Sequence, residues 1–179
     1  MKKLHLGCFN KKIHGYVNVD IRDDIQPDVV DDIFTLTKFE DNSVDVIYAC
    51  HVLEHLKRAE IQPALARGYR ILKIGGIVRI AVPDMERIFE HYIYHKDLLA
   101  IISSLGGSQR HNYDYHYSHF DFKLLKQYLE LSGFKNIQRY DRWQTEHAYV
   151  DDYSAAYMPH KDFTNGQLIS LNVEAVKLK

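Results

Sequence analysis

Gly7 directly follows the short apolar run Leu4-His5-Leu6, and Asp20 ends a second run, Val17-Asn18-Val19. A residue without Cβ at the end of a strand lets the backbone turn sharply and approach a ligand closely. A carboxylate at the tip of the following strand can accept both hydroxyls of a ribose lying over that turn. Asp31 and Asp32 then precede Ile33, and a carboxylate there can accept from an adenine amino group while a neighbouring backbone N–H reaches the ring. Taken singly, each of these residues is equally a solvated strand end. Their order along the chain is what points to a bound adenosine.

Three other stretches carry chemically capable side chains. His51-Val52-Leu53-Glu54-His55 matches H-x-x-E-H, the inverted zinc-peptidase pattern with two histidines one helical turn apart. That pattern needs a long regular helix and a further acidic ligand, whereas His51 immediately follows the apolar run VDVIYAC and so belongs to a strand-to-helix turn. Zinc peptidase is kept as a remote alternative, with His55 a helix-surface or packing residue. Pro83-Asp84 follows the run GIVRIAV. Proline ends that strand, and Asp84 either caps the helix MERIFEHY, faces the same cleft as an acid–base group, or does both. In the third stretch, Arg110 to His119, an extended backbone puts Tyr113, Tyr115 and Tyr117 on one side and Asp114, His116 and Ser118 on the other. Preceded by Gly106-Gly107, it reads as a flap at 104–119 or as a surface loop whose tyrosines pack on the sheet edge. The spacing of His111, His116 and His119 matches no structural zinc framework, and no metal is expected.

Six apolar runs bounded by turn residues predict the strands that position these groups: KKLHLGC, YVNVDI, VDVIYAC, GIVRIAV, FKNIQRYD and ISLNVEAVKLK. Helical patterns lie between several of them, which implies a mostly parallel, covered α/β sheet. Glu60 to Leu72 predicts one helix, closed by Gly75-Gly76. Ser118 to Gly133 predicts another, with Ser118 and Asp121 as an S-x-x-D capping box and Phe120, Leu124 and Tyr128 on its buried face. The final strand is expected antiparallel to its predecessor. Only Phe9 to Gly15 separates the first two strands, too few residues for the roughly ten or more of a helical crossover. The first crossover helix is therefore shortened or missing, and loop backbone must hold the ligand in place of a long helix dipole.

The chain has 179 residues, a formal charge of -1 and 46% hydrophobic residues, so one domain with a self-sufficient core is expected over 1–179. Balanced charge offers no advertisement to a polyanion, so a nucleic-acid partner is unsupported by charge and not excluded by it. Two cysteines outside any CxxC pair suit a reducing compartment. No apolar run is long enough for a signal peptide or a membrane span, and a cytoplasmic location is the expectation. Trp143, Tyr149, Tyr153 and Tyr157 pack on the core or bury a dimer contact; the oligomeric state is left open.

LHLGC, GYVNVD, Asp31-Asp32-Ile33, DNSVDVIYACHVLEHL, RILKIGGIVRIAVPD and LLKQYLELSGFKNI together resemble class I S-adenosylmethionine-dependent methyltransferases. Within that superfamily the chain is similar to a small group of predicted methyltransferases that end in an ISLNVEAVK-like strand. The resemblance implies a doubly wound, Rossmann-like seven-stranded sheet with S-adenosylmethionine at the strand C-termini. It implies that Gly7, Cys8, Phe9 and Asn10 pass beneath the methionine portion, and that Asp20 and Ile21 hold the ribose and flank the adenine. By the same likeness Asp32 takes the adenine amino group, Ile33 offers its backbone, and Cys50 and His51 touch the methionine portion near the sulfonium. The pattern departs from the family at two places: Phe9 replaces the second glycine of the loop, and His5 replaces an acidic residue. Phenylalanine at φ > 0 costs on the order of 1 kcal/mol or more unless its ring turns outward.

The expected function is methyl transfer to a small-molecule or carbohydrate acceptor, with Tyr113 and Tyr115 lining the substrate side. Asp84, His116 and His119 are the candidate catalytic groups should a hydroxyl need deprotonation. A catalytically degenerate fold acting as a binding module is the alternative, favoured by Phe9 and His5.

Overall fold

The computed structural model describes residues 1–179. Its main sheet has seven strands in the order β3-β2-β1-β4-β5-β9-β6. In chain order these are β1 (Lys3–Leu6), β2 (Val17–Asp20), β3 (Val29–Val30), β4 (Val44–Cys50), β5 (Leu72–Pro83), β6 (Lys135–Arg139) and β9 (Ser170–Val176). Strands β1 to β5 pair in parallel, and β9 runs antiparallel between β5 and β6. The expected α/β sheet with one reversed final strand is therefore observed. The order reverses between β1 and β4, and a doubly wound sheet binds its ligands at such a point.

Alternation along the strands sorts side chains onto two faces. Leu4 and Leu6 of β1, Ile47 and Ala49 of β4, Val78, Ile80 and Val82 of β5, and Leu171, Val173 and Ala175 of β9 share the larger core cluster. Helices α1 (Arg58–Ile71) and α4 (Phe122–Leu131) cover that face through Ile61, Leu65, Leu125 and Leu129. Burying each such side chain contributes about 1.5–3 kcal/mol. The opposite face presents His5, Val46, Tyr48, Cys50 and Ala81, and no crossover helix covers it, because residues 7–16 connect β1 to β2 through turns alone.

A distant segment takes that helix's place. Ile13 and Tyr16 of the connection pack with Val46, Tyr48, Cys50, Ala81 and Val150. His147 lies on Tyr48 with ring centroids 4.1 Å apart, and the Tyr48 hydroxyl donates to Asp152 Oδ2 at 2.8 Å. Tyr16 donates to Glu146 Oε1 at 2.7 Å, and Glu146 also pairs with Lys3 and Arg79. Arg142, 3% exposed, is held by Ser154 Oγ and the Val150 carbonyl. Of the four aromatics singled out in this region, Trp143, Tyr149 and Tyr153 are exposed in the single chain, the last two at 66%, and Tyr157 is half-buried.

Three local expectations are corrected. Helix α1 passes directly into β5 at Leu72, and Gly75 and Gly76 lie inside that strand beside an irregularity in its pairing with β4, because Leu72 already pairs with Val44. Helix α4 begins at Phe122 with Asp121 alone as its cap, accepting from Leu124 N at 2.7 Å, while the Ser118 hydroxyl donates to the Leu56 carbonyl. Its buried stripe is consequently Leu125 and Leu129, one residue on from the expected Leu124, which is exposed. Two further helices, α2 (Met85–His95) and α3 (Leu98–Gly106), follow β5; Met85, Ile88 and Ile101 pack with Ile169. The second of these was not anticipated. A small hairpin, β7 (Tyr157–Met158) with β8 (Gln167–Leu168), precedes β9. No helix is long and apolar enough to cross a membrane.

Burial of two imidazoles on the helix-free face makes stability pH-dependent. Desolvation lowers the pKa of His5 below its ordinary value and brings that of His147 to about 4. The unfolded chain takes up a proton at His147 as pH falls through about 6.5, but the folded chain does so only near 4, so acidification across that window favours unfolding. The loss due to His147 reaches about 3 kcal/mol at its lower end. Urea unfolding at pH 7 and pH 4.5 is expected to show it, with a shallower pH dependence in His147→Phe; an unchanged slope in that variant would assign the effect elsewhere.

Candidate functional site

Because β1, β2 and β3 are adjacent and parallel, Gly7, Ile21 and Asp31 emerge at the same end of the sheet. His51 and Asp84 emerge at that end from β4 and β5. Gly7 has φ +64, and a Cβ there would lie 2.3 Å from Val52 Cγ2, so only glycine fits this turn. Phe9 adopts φ +41, the left-handed region that disfavours a side chain, and its ring turns outward, 46% exposed, beneath the Arg22 guanidinium at 5.4 Å. Both outcomes weighed for Phe9 thus occur together.

Asp20 organises the loop. Its Oδ2 accepts from Phe9 N at 2.9 Å and its Oδ1 from Arg22 N at 3.0 Å, while its carbonyl accepts from Asp31 N. One 93%-buried side chain therefore fixes the β1 turn, the end of β2 and the start of the β3 turn. A carboxylate oxygen has lone pairs beyond the one used by an amide, so donors from a sugar can still be accepted. Cys8 is buried, with its thiol pKa pushed up to about 12 by desolvation and by Asp20, which keeps it neutral and unreactive. Asn10 is exposed in the same loop.

The two consecutive aspartates separate in role. Asp31 is buried and spends both oxygens on the chain, accepting from Asp32 N, Thr37 Oγ1 and Lys38 N. Asp32 is half-buried, and its Oδ1 accepts from Phe34 N at 2.9 Å. Ile33 packs against the main core, and Ile21 is 41% exposed. At β4, Cys50 is buried and desolvation raises its thiol pKa well above ordinary. His51 follows at φ +51, with Nδ1 3.2 Å from Glu54 Oε1, Nε2 3.2 Å from Ser170 Oγ, and its ring tilted on Tyr153.

The zinc-peptidase reading loses its helix, since Leu53–His55 form a single 3-10 turn. Asp84 precedes α2 but makes no side-chain cap; it is buried and pairs with Arg139 Nη1 at 2.9 Å. The 104–119 segment alternates as expected: Tyr113, Tyr115 and Tyr117 are exposed, whereas Asp114, His116 and Ser118 are half-buried or buried. Its base is anchored, because Tyr117 N and Ser118 N both donate to the Glu54 carbonyl. His119 donates from Nε2 to the Leu105 carbonyl at 2.7 Å, which leaves Nδ1 free. A cavity of about 270 Å³ lies beside it, lined by Arg58, Ile61, Phe120, Leu124 and Tyr128.

Sequence reasoning missed the part played by Glu54, Asp31 and Arg139. Burial of a carboxylate and a partner 55 residues away leave no local sequence pattern.

Residues 10–80 match the model of a family described as "Methyltransferase domain". No curated protein sequence matches the chain. Among solved structures, the chain is similar to a S-adenosylmethionine-dependent methyltransferase from Archaeoglobus fulgidus, at 16% identity over 98% of this chain and 86% of that one, TM-score 0.63. It is similar to one from Methanosarcina mazei at 17% identity over 99% and 92%, TM-score 0.63. A third likeness is to the Haemonchus contortus phosphoethanolamine N-methyltransferase 2 in complex with S-adenosyl-L-methionine, at 15% identity over 100% and 50%, TM-score 0.54. Residues 10–80 thus carry the methyltransferase-domain match, and the chain as a whole shares its strand order and fold with S-adenosylmethionine-dependent methyltransferases.

Proposed function

We propose that this protein moves a methyl group from S-adenosylmethionine to a hydroxyl or amine of a small-molecule or carbohydrate acceptor. The observation that carries this reading is the convergence of the Gly7 turn, Asp20 and Asp32 at one end of three adjacent parallel strands, beside the point where strand order reverses. The donor set suits an adenosine: a carboxylate with spare lone pairs at the sugar, a second at the base, and a turn that a Cβ would obstruct.

The cofactor supplies a methyl carbon already activated by a sulfonium leaving group. Asp20 and Asp32 orient the adenosine; the Gly7 to Asn10 turn, with Cys50 and His51, bounds the methionine portion. Alignment of acceptor, methyl and sulfur can supply about 7–11 kcal/mol, more than a single general base. For a hydroxyl acceptor, the groups proposed to take its proton are His119 through Nδ1, His116 through Nε2, or Asp84. Tyr113 and Tyr115 would exclude water from the acceptor side.

Calorimetric titration with S-adenosylmethionine and with its demethylated product tests the reading. Saturable binding of both is expected, and Phe9→Gly should bind at least as tightly as wild type, since glycine adopts the left-handed turn of the unliganded loop without the ~1 kcal/mol that it costs phenylalanine. Absence of binding to wild type, or weaker binding in Phe9→Gly, would favour the degenerate binding-module alternative, for which His5 and Phe9 speak.

A further inference from the structure

Glu54 is 1% exposed, and neither of its carboxylate oxygens has a hydrogen-bond partner. A buried carboxylate without partners costs several kcal/mol unless something cationic compensates it. His51 Nδ1 approaches Oε1 at 3.2 Å but without hydrogen-bonding geometry. Two other imidazoles converge on the same place. A potential ligand atom from each of Glu54, His55 and His116 lies within 4.8 Å of the others. The rings of His55 and His116 meet edge to face with centroids 4.9 Å apart.

The outer contacts of these histidines fix which nitrogen is free. His55 Nδ1 lies 3.0 Å from the Tyr115 carbonyl, and His116 Nδ1 lies 3.0 Å from the Ser104 carbonyl. A carbonyl only accepts, so both Nδ1 atoms carry the proton and both Nε2 atoms keep a lone pair. A ring oriented through one nitrogen by a backbone carbonyl, with the other nitrogen free, is the arrangement of metal-ligating histidines. The two N–H hydrogen bonds from Tyr117 and Ser118 to the Glu54 carbonyl hold the loop base beside the carboxylate, so the three donors are brought together by the fold itself. Two imidazoles and a carboxylate form a zinc-type donor set, and three protein ligands leave a fourth position open. Ligand atoms of such a site stand about 3.4 Å apart, a contraction that rotation of half-exposed side chains can supply.

We propose that Glu54, His55 and His116 bind one divalent ion of the zinc type, through a carboxylate oxygen and two Nε2 atoms, and that this ion clips the 107–116 loop onto the end of β4. A metal-bound Nε2 has no lone pair for a proton, which leaves Asp84 and His119 as the acid–base groups of the reaction proposed above.

The test uses the full chain, stripped of metal with a chelator and titrated with zinc sulfate in the absence of cofactor, so that its outcome is independent of methyl transfer. One equivalent is expected to bind. At a hundredfold excess over the dissociation constant it should raise Tm by about 5–10 °C and slow proteolysis within 107–115. His55→Ala, His116→Ala and the shape-preserving Glu54→Gln should each weaken binding at least tenfold, with folding of each verified by circular dichroism. His111→Ala, outside the cluster, should bind as wild type does. Cobalt(II) in place of zinc should give the visible ligand-field absorption of a tetrahedral site, lost in His116→Ala. No saturable binding to wild type, binding that survives these three substitutions, or binding equally weakened by His111→Ala would overturn the proposal.

Discussion

Asp20→Ala is expected to weaken S-adenosylmethionine binding at least a hundredfold while leaving a folded protein. Each hydroxyl hydrogen bond to a carboxylate contributes about 1.5–3 kcal/mol, so losing the two proposed with the ribose would remove about 3–6 kcal/mol, equivalent to two or more decades of affinity. The loss is compounded before any ligand arrives. Phe9 N and Arg22 N both bond to this side chain, so its removal releases the loop proposed to cradle the ligand. Asp20→Asn should fall nearly as far, because its one acceptor oxygen cannot serve the Phe9 amide, the Arg22 amide and two hydroxyls together. Calorimetry with S-adenosylmethionine, alongside a thermal melt, checks both variants. A change of less than threefold in Asp20→Ala would place the ribose elsewhere.

The second large effect is on the turn itself. In Gly7→Ala, left-handed backbone costs about 1–2 kcal/mol, and forcing a methyl within 2.3 Å of Val52 Cγ2 adds about 1–3 kcal/mol. Together these predict a fall in Tm of about 5–15 °C. Gly15 provides the comparison, since it has φ +80 with nothing within 4 Å of an added Cβ. Gly15→Ala should therefore show the backbone cost alone. Pairing Gly7→Ala with Val52→Ala should recover part of the steric term and none of the backbone term. Equal destabilisation by the two single glycine substitutions would show that the Val52 contact is immaterial.

What could be read in advance followed from strong alternation and from punctuation. VDVIYAC is an almost continuous apolar run and ISLNVEA alternates over seven residues, and they became β4 and β9. The seven residues between the first two strand runs forbade a crossover helix, and none formed. By contrast, β3 is two residues long, too short for any periodicity to register. Helix α3, LLAIISSLG, has no charged face to mark it amphipathic and ends up with only Ile101 buried. Gly75-Gly76 looked like a helix stop because glycine favours both helix ends and strand irregularities, and pairing of Leu72 with Val44 decided the matter. The position of Gly7, Asp20 and Asp32 at one end of the sheet was legible because each sits at a fixed offset from its strand. The convergence of Glu54 and His55 with His116 was not, because some 60 residues separate them and only the loop's hydrogen bonds to the Glu54 carbonyl bring them together.

The cover supplied by Glu146, His147, Val150 and Asp152 bears on how the molecule is made. On a ribosome, β1, β4 and β5 emerge long before that cover, so Tyr48 and its apolar neighbours wait undressed while more than 60 further residues are synthesised. A nascent chain of this kind is a natural client for holding chaperones, and shortening it ahead of residue 150 would strand an oily sheet surface in water.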